Sequence, residues 1–91
     1  MEELVIRNLR KERKTIGAGE YRRIIIKNCR NSTIIIKATV KVIDQVRVED
    51  SDLKELRVLT ETPITIKNSK IELGIIVDLK KPKILEEEKL F

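Results

Sequence analysis

A pentad that recurs four times constrains this chain more than any other feature. Leu4-Val5-Ile6-Arg7-Asn8, Ile24-Ile25-Ile26-Lys27-Asn28, Val46-Arg47-Val48-Glu49-Asp50 and Ile64-Thr65-Ile66-Lys67-Asn68 each read apolar, any, apolar, charged, Asn or Asp, at steps of 20, 22 and 18 residues. A strand-plus-turn unit at such spacing is the signature of a solenoid, whose repeats bury their apolar faces only by stacking. Stacking also gives the polar position its fixed phase. Each corner lies above the same corner of the next coil, so side-chain amides can hydrogen-bond along the stack. Asn8, Asn28, Asp50 and Asn68 are therefore predicted to form a structural ladder, with Asp50 the odd rung that accepts but cannot donate.

The two-residue period of a strand points Ile24 and Ile26 inward and Ile25 outward. Asn28 then turns the chain, because Asn tolerates left-handed backbone. Asn31-Ser32 reads as a second corner, Ile34 and Ile36 as inward residues, Val40 and Val42 as a third short strand, and Asp44-Gln45 as the close of the coil. One coil is thus predicted to hold three short strands and three corners. The next coils repeat this through Val46, Val48, Leu53, Leu56 and Val58, a corner at Thr60 to Pro63, and then Ile64, Ile66, Ile71, Leu73, Ile75 and Val77, with a bend at Gly74.

The predicted fold class is all-β: a single-stranded parallel β-helix, or β-solenoid, of about four short coils starting near residues 4, 24, 46 and 64. The charged segment 9–20 reads as a loop or one helical turn that closes one end. Residues 1–80 make the domain and 81–91 a short C-terminal tail. The alternative is an antiparallel β-sandwich, which would also alternate but has no need of Asn or Asp at one phase four times.

Composition limits function. Ninety-one residues make one small domain. Tyr21 and Phe91 are its only aromatics, so base-stacking platforms are essentially missing. With no His there is no imidazole base, and lone Cys29 offers neither a disulfide nor a cysteine metal site. Cys29 reads as a small buried hydrophobe. Asp50 and Asp52, and likewise Glu86-Glu87-Glu88, read as solvated acids rather than a metal site. Gly17-Ala18-Gly19 lacks the glycine and lysine spacing of a phosphate loop and reads as a hinge. The chain is expected to be no enzyme and to bind no cofactor. One cysteine and no signal-peptide pattern point to an intracellular, cytoplasmic location. No apolar run is long enough to span a bilayer. Abundant Ile, Lys, Glu and Arg lean towards a thermophile.

Charge and exposed apolar positions supply the candidate contacts. Residues 1–30 hold nine Lys/Arg against four Asp/Glu, while the remainder holds eleven of each, so the net +5 sits in the first third. Arg7, Arg10, Lys11, Arg13, Lys14, Arg22 and Arg23 are the candidate contacts for an anion or nucleic acid. Outward Val5, Ile25 and Ile35 are expected to form an apolar stripe that marks an interface. Uncapped ends of a β-helix expose strand edges. Leu85, Leu90 and Phe91 of the tail are the anchors that would cap an end or dock on a second copy. The expected partners are the chain itself, as a dimer or higher, and an unidentified protein.

Residues 24–56, IIIKNCRNSTIIIKATVKVIDQVRVEDSDLKEL, resemble the β-helix repeat shared by the C-terminal domain of cyclase-associated protein and by tubulin-binding cofactor C. Asn28-Cys29, Ser32-Thr33, Lys37-Ala38 and Asp50-Ser51 stand at its corners, and the likeness extends loosely to Asn68-Ser69 and Leu73. The resemblance implies a right-handed parallel β-helix and a protein-binding role, towards actin in one branch and small GTPases or tubulin in the other. Gln45-Val46-Arg47 matches the letters of the arginine finger in the GTPase-activating branch. Arg47 nevertheless lies in a strand two residues before Glu49, without the surrounding pattern, so the match reads as coincidence. The function expected from the whole sequence is that of a non-enzymatic protein-binding or self-assembly module, homo-oligomeric, with nucleic-acid binding as the alternative.

Overall fold

Eight strands, most of them rich in β-branched residues, make up the structure: β1 (Glu2–Arg7), β2 (Arg13–Ile16), β3 (Gly19–Lys27), β4 (Arg30–Ile36), β5 (Val40–Glu49), β6 (Asp52–Val58), β7 (Ile64–Lys67) and β8 (Lys70–Ile76). The computed structural model describes residues 2–76. One sheet takes the odd strands in the order β1-β3-β5-β7 and the other the even strands in the order β2-β4-β6-β8. Every neighbouring pair is parallel. The architecture is therefore a β-solenoid of about four turns, each turn made of one odd and one even strand, and the antiparallel sandwich is excluded.

Register converts the pentads into continuous inward rows. Leu4, Ile24, Val46 and Ile64 stack in the odd sheet, as do Ile6, Ile26, Val48 and Ile66. Ile16, Ile36, Val58 and Ile76 stack opposite them in the even sheet. Ile24, Ile26, Ile34, Ile36, Val46 and Val48 are fully buried. Each such side chain contributes about 1.5–3 kcal/mol over leaving it in water, which is how so short a chain sustains a core.

The corner after each odd strand is made by the last pentad residue. Asn8, Asn28, Asp50 and Asn68 all adopt left-handed backbone, with φ of 61, 54, 49 and 51°. Short polar side chains that bond locally bear this conformation at least cost. Lys11 and Asn31 share it, at φ 56 and 52°.

Four expectations need correction. Segment 9–20 is no end cap: it contains β2, which pairs with β4 and completes the first coil. A coil has two strands rather than three, because Val40 and Val42 run on through Asp44 and Gln45 into Val46 and Val48 as the single strand β5. That strand absorbs its longer spacing in an irregularity opposite Tyr21 to Arg23, beside which Ile43 is turned out to 49 % exposure. Gly74 makes no bend; it lies within β8, whose Leu73 and Ile75 are exposed rather than part of the core. Similarly, Asn31-Ser32 is no corner but a kink inside β4, where the register with β6 shifts. The tail 81–91, with Leu85, Leu90, Phe91 and the Glu86–Glu88 run, lies outside the described residues.

Candidate functional site

Three groups of residues singled out by the sequence now have positions. The first is the corner ladder. Asn28 Nδ2 donates to Asn8 Oδ1 at 2.8 Å, and Asn68 Nδ2 donates to Asp50 Oδ1 at 2.7 Å. No side-chain bond joins Asn28 to Asp50. The direction of donation explains the gap: each amide donates to the coil before it, and an ionised Asp50 has no hydrogen to give. The predicted ladder is thus two separate pairs, which stand at the surface, with Asn8, Asp50 and Asn68 exposed and Asn28 half-buried.

One residue further on lies a row that sequence reasoning missed. Cys29, Ser51 and Ser69 are buried at this corner. Ser51 Oγ accepts the Cys29 N–H at 3.1 Å and donates to the Glu49 carbonyl at 2.8 Å. Ser69 Oγ accepts the Ser51 N–H at 3.0 Å and donates to the Lys67 carbonyl at 2.9 Å. Each hydroxyl thus satisfies one backbone donor of the preceding coil and one acceptor of its own. Cys29 takes the same place, its Sγ 3.5 Å from the Lys27 carbonyl, and is buried as expected. The signal was present as Cys or Ser after each of the last three pentads, but serine beside a turn residue reads only as more turn.

The second group is basic. Arg10 Nη1 donates to the carbonyls of Leu9 and Asn28 at 2.9 and 2.7 Å. Arg30 Nη1 repeats this one coil on, reaching the Cys29 and Asp50 carbonyls at 3.1 and 2.6 Å. Arg23 is paired with Glu3 and, at 3.1 Å, with Asp44. Arg10 and Arg23 are therefore engaged in holding coils together. Arg7, Lys11, Arg13, Lys14 and Arg22 are exposed and form no ion pair with a described residue.

The third group, the apolar stripe, does not form. Val5 and Ile25 are neighbours on the outer face of the odd sheet, but the row continues with Arg47 and Thr65. Ile35 lies on the other sheet, between Thr15 and Arg57, and is only 9 % exposed. Both are outward positions, as the alternation requires; the corner between them puts them on opposite faces of the solenoid.

Asp50 and Asp52 border an open depression of about 450 Å³, with Arg30 and Lys70 on its walls. Among the described residues no three acidic, cysteine or histidine side chains gather to hold a metal ion. Arg47 pairs with Glu49 at 2.7 Å across one strand face.

The first coil differs from the rest in what it leaves open. β1 and β2 each end a sheet, and no described strand lies against their outer edges. Asn8 N–H donates to the Lys27 carbonyl at 3.1 Å. By the alternation of a parallel ladder, Leu4 and Ile6 also turn their backbone groups towards β3, which leaves those of Glu3, Val5 and Arg7 on the free edge. Val5 is 39 % exposed and Leu4 half-buried, so β1 is an edge with apolar content. β2 is different. Lys14 occupies the inward row above Ile34 and Leu56, where the other coils place apolar residues or glycine, and remains exposed. A charge in an inward row with Arg13 beside it is a standard obstacle to edge pairing.

No protein-family model matches this chain, and no curated protein or solved structure matches it either. No helix among the described residues is long and apolar enough to cross a membrane.

Proposed function

We propose that this protein is a non-enzymatic module for self-assembly or protein binding, and that it works as a homo-oligomer. The observation that carries this reading is the edge of β1. It presents the backbone groups of three successive outward residues, with Val5 exposed, and no described strand covers it. Unpaired edges of this kind template pairing with another chain. The remainder of the described surface supports the same reading. The interior is filled by stacked Ile, Val and Leu, and the depression beside Asp50 and Asp52 is open and lined by charged and polar corner residues. Light scattering on the purified chain tests it. A dimer or larger species at tens of micromolar is expected, and a strict monomer there overturns it.

A second reading, nucleic-acid binding, is favoured by the exposure of Lys11, Arg13 and Lys14 on and beside β2. Such contacts would go to phosphates and weaken steeply with salt. A low-salt gel shift with duplex and single-stranded DNA and RNA would show retarded species, and absence of any shift ends this reading.

A further inference from the structure

We infer that β1 pairs antiparallel with β1 of a second copy across a two-fold axis, in the register that sets Val5 opposite Val5 and Glu3 opposite Arg7. The inference rests on the self-assembly reading and specifies its geometry. Three features select this register, the second following from the first. The free edge carries the N–H and C=O groups of Glu3, Val5 and Arg7, so only these residues can form hydrogen-bonded pairs with a new strand. Facing residues in an antiparallel pair point to the same side of the sheet, so odd must face odd for Leu4 and Ile6 of both copies to stay on the inner side. Among odd registers, the one centred on Val5 places an acid against a base twice and the apolar side chain against itself. A shift of two residues either way sets Val5 against Glu3 or against Arg7. It loses the apolar contact and leaves charges facing no opposite.

The competing arrangement is head-to-tail stacking, with β7 and β8 of one copy laid on β1 and β2 of the next. It would continue the outward row Arg7, Lys27, Glu49, Lys67 with another Arg7, and the row Arg10, Arg30, Asp52, Lys70 with another Arg10. Each row already carries one like-charge step, Arg7 on Lys27 and Arg10 on Arg30, and a second such step in both sheets disfavours that open, filament-forming contact. The two-fold contact is closed. It is confined to the odd sheet, because the exposed Lys14 in its inward row blunts β2.

A charge-swap series on the full chain tests this, read by light scattering across a concentration range. Glu3→Arg and Arg7→Glu each place like charges opposite one another and should raise the dimer dissociation constant at least about ten-fold. The double variant restores opposite pairs in the same register and should recover the dimer. Val5→Lys, which leaves the Glu3–Arg23 ion pair untouched, should also give monomer. A thermal melt of each variant confirms that it is folded. Singles and Val5→Lys that remain dimeric would show that the chain assembles through another surface, overturning this edge while leaving self-assembly intact. Singles that dissociate without recovery in the double overturn the register. A native chain that is monomeric throughout overturns both the inference and the reading beneath it.

Discussion

Two adjacent rows at one corner of this solenoid follow opposite rules. The row Asn8, Asn28, Asp50, Asn68 is largely exposed and bonds side chain to side chain. The next row, Cys29, Ser51, Ser69, is buried and bonds side chain to backbone. The exposed row shapes the corner, since its residues carry the left-handed backbone. The buried row completes it, since without those hydroxyls the Cys29 and Ser51 N–H groups inside the stack would have no partner. The exposed row tolerates a fault: Asp50 breaks the ladder and the coils still stack in register. A fault in the buried row would leave an orphaned donor, and that is where the corner should prove sensitive.

Ser51→Ala is the sharpest way to break the contrast. It orphans the buried Cys29 N–H, while the Glu49 carbonyl keeps the Asn28 N–H, so a loss of about 1–3 kcal/mol is expected in urea denaturation. A cost near zero would mean that the buried row is incidental. Asn28→Asp should cost less, about 0.5–1.5 kcal/mol. It keeps a residue that accepts positive φ, removes the donor to Asn8 and sets a second acid beside Asp50. Asp50→Asn should have the opposite sign and the smallest size. It supplies the missing donor towards Asn28 and should stabilise the fold by about 0.5–1 kcal/mol in the same assay. A destabilised Asp50→Asn variant would show that the gap is not one of hydrogen-bond chemistry.

What the sequence disclosed follows from which signals stacking repeats. The inward pairs Ile24/Ile26, Val46/Val48 and Ile64/Ile66 were legible because every coil reuses them, and the Asn phase was legible because the left-handed corner demands it. β2 was not. An end strand has a neighbour on one side only, and Arg13-Lys14-Thr15-Ile16 carries a single buried residue, Ile16, so the period-2 pattern vanishes beneath the charges. The merging of Val40 and Val42 into β5 was hidden because the irregularity near Ile43 mimics the polar break of a corner. The supposed stripe failed for a related reason. Val5, Ile25 and Ile35 are all outward by local alternation, but only the count of corners between them tells which sheet each belongs to. The open edge of β1 was foreseen as a general problem of uncapped ends. Its register of charges became visible only once the hydrogen bonds to β3 fixed which residues face outward.

β1 and β2 extend the contrast from the corner to the end of the stack. They close the same coil, yet one keeps apolar residues in its inward row and the other carries Lys14 there. Amide hydrogen exchange resolved by residue, on the native chain at high and at low concentration, separates their behaviour most directly. The account predicts that Leu4 and Ile6 amides are protected at both concentrations, since β3 holds them, while Glu3, Val5 and Arg7 amides become protected only when concentrated. Arg13 and Thr15 of β2 should remain fast throughout. Odd-numbered β1 amides that exchange freely where the chain is dimeric would contradict the account.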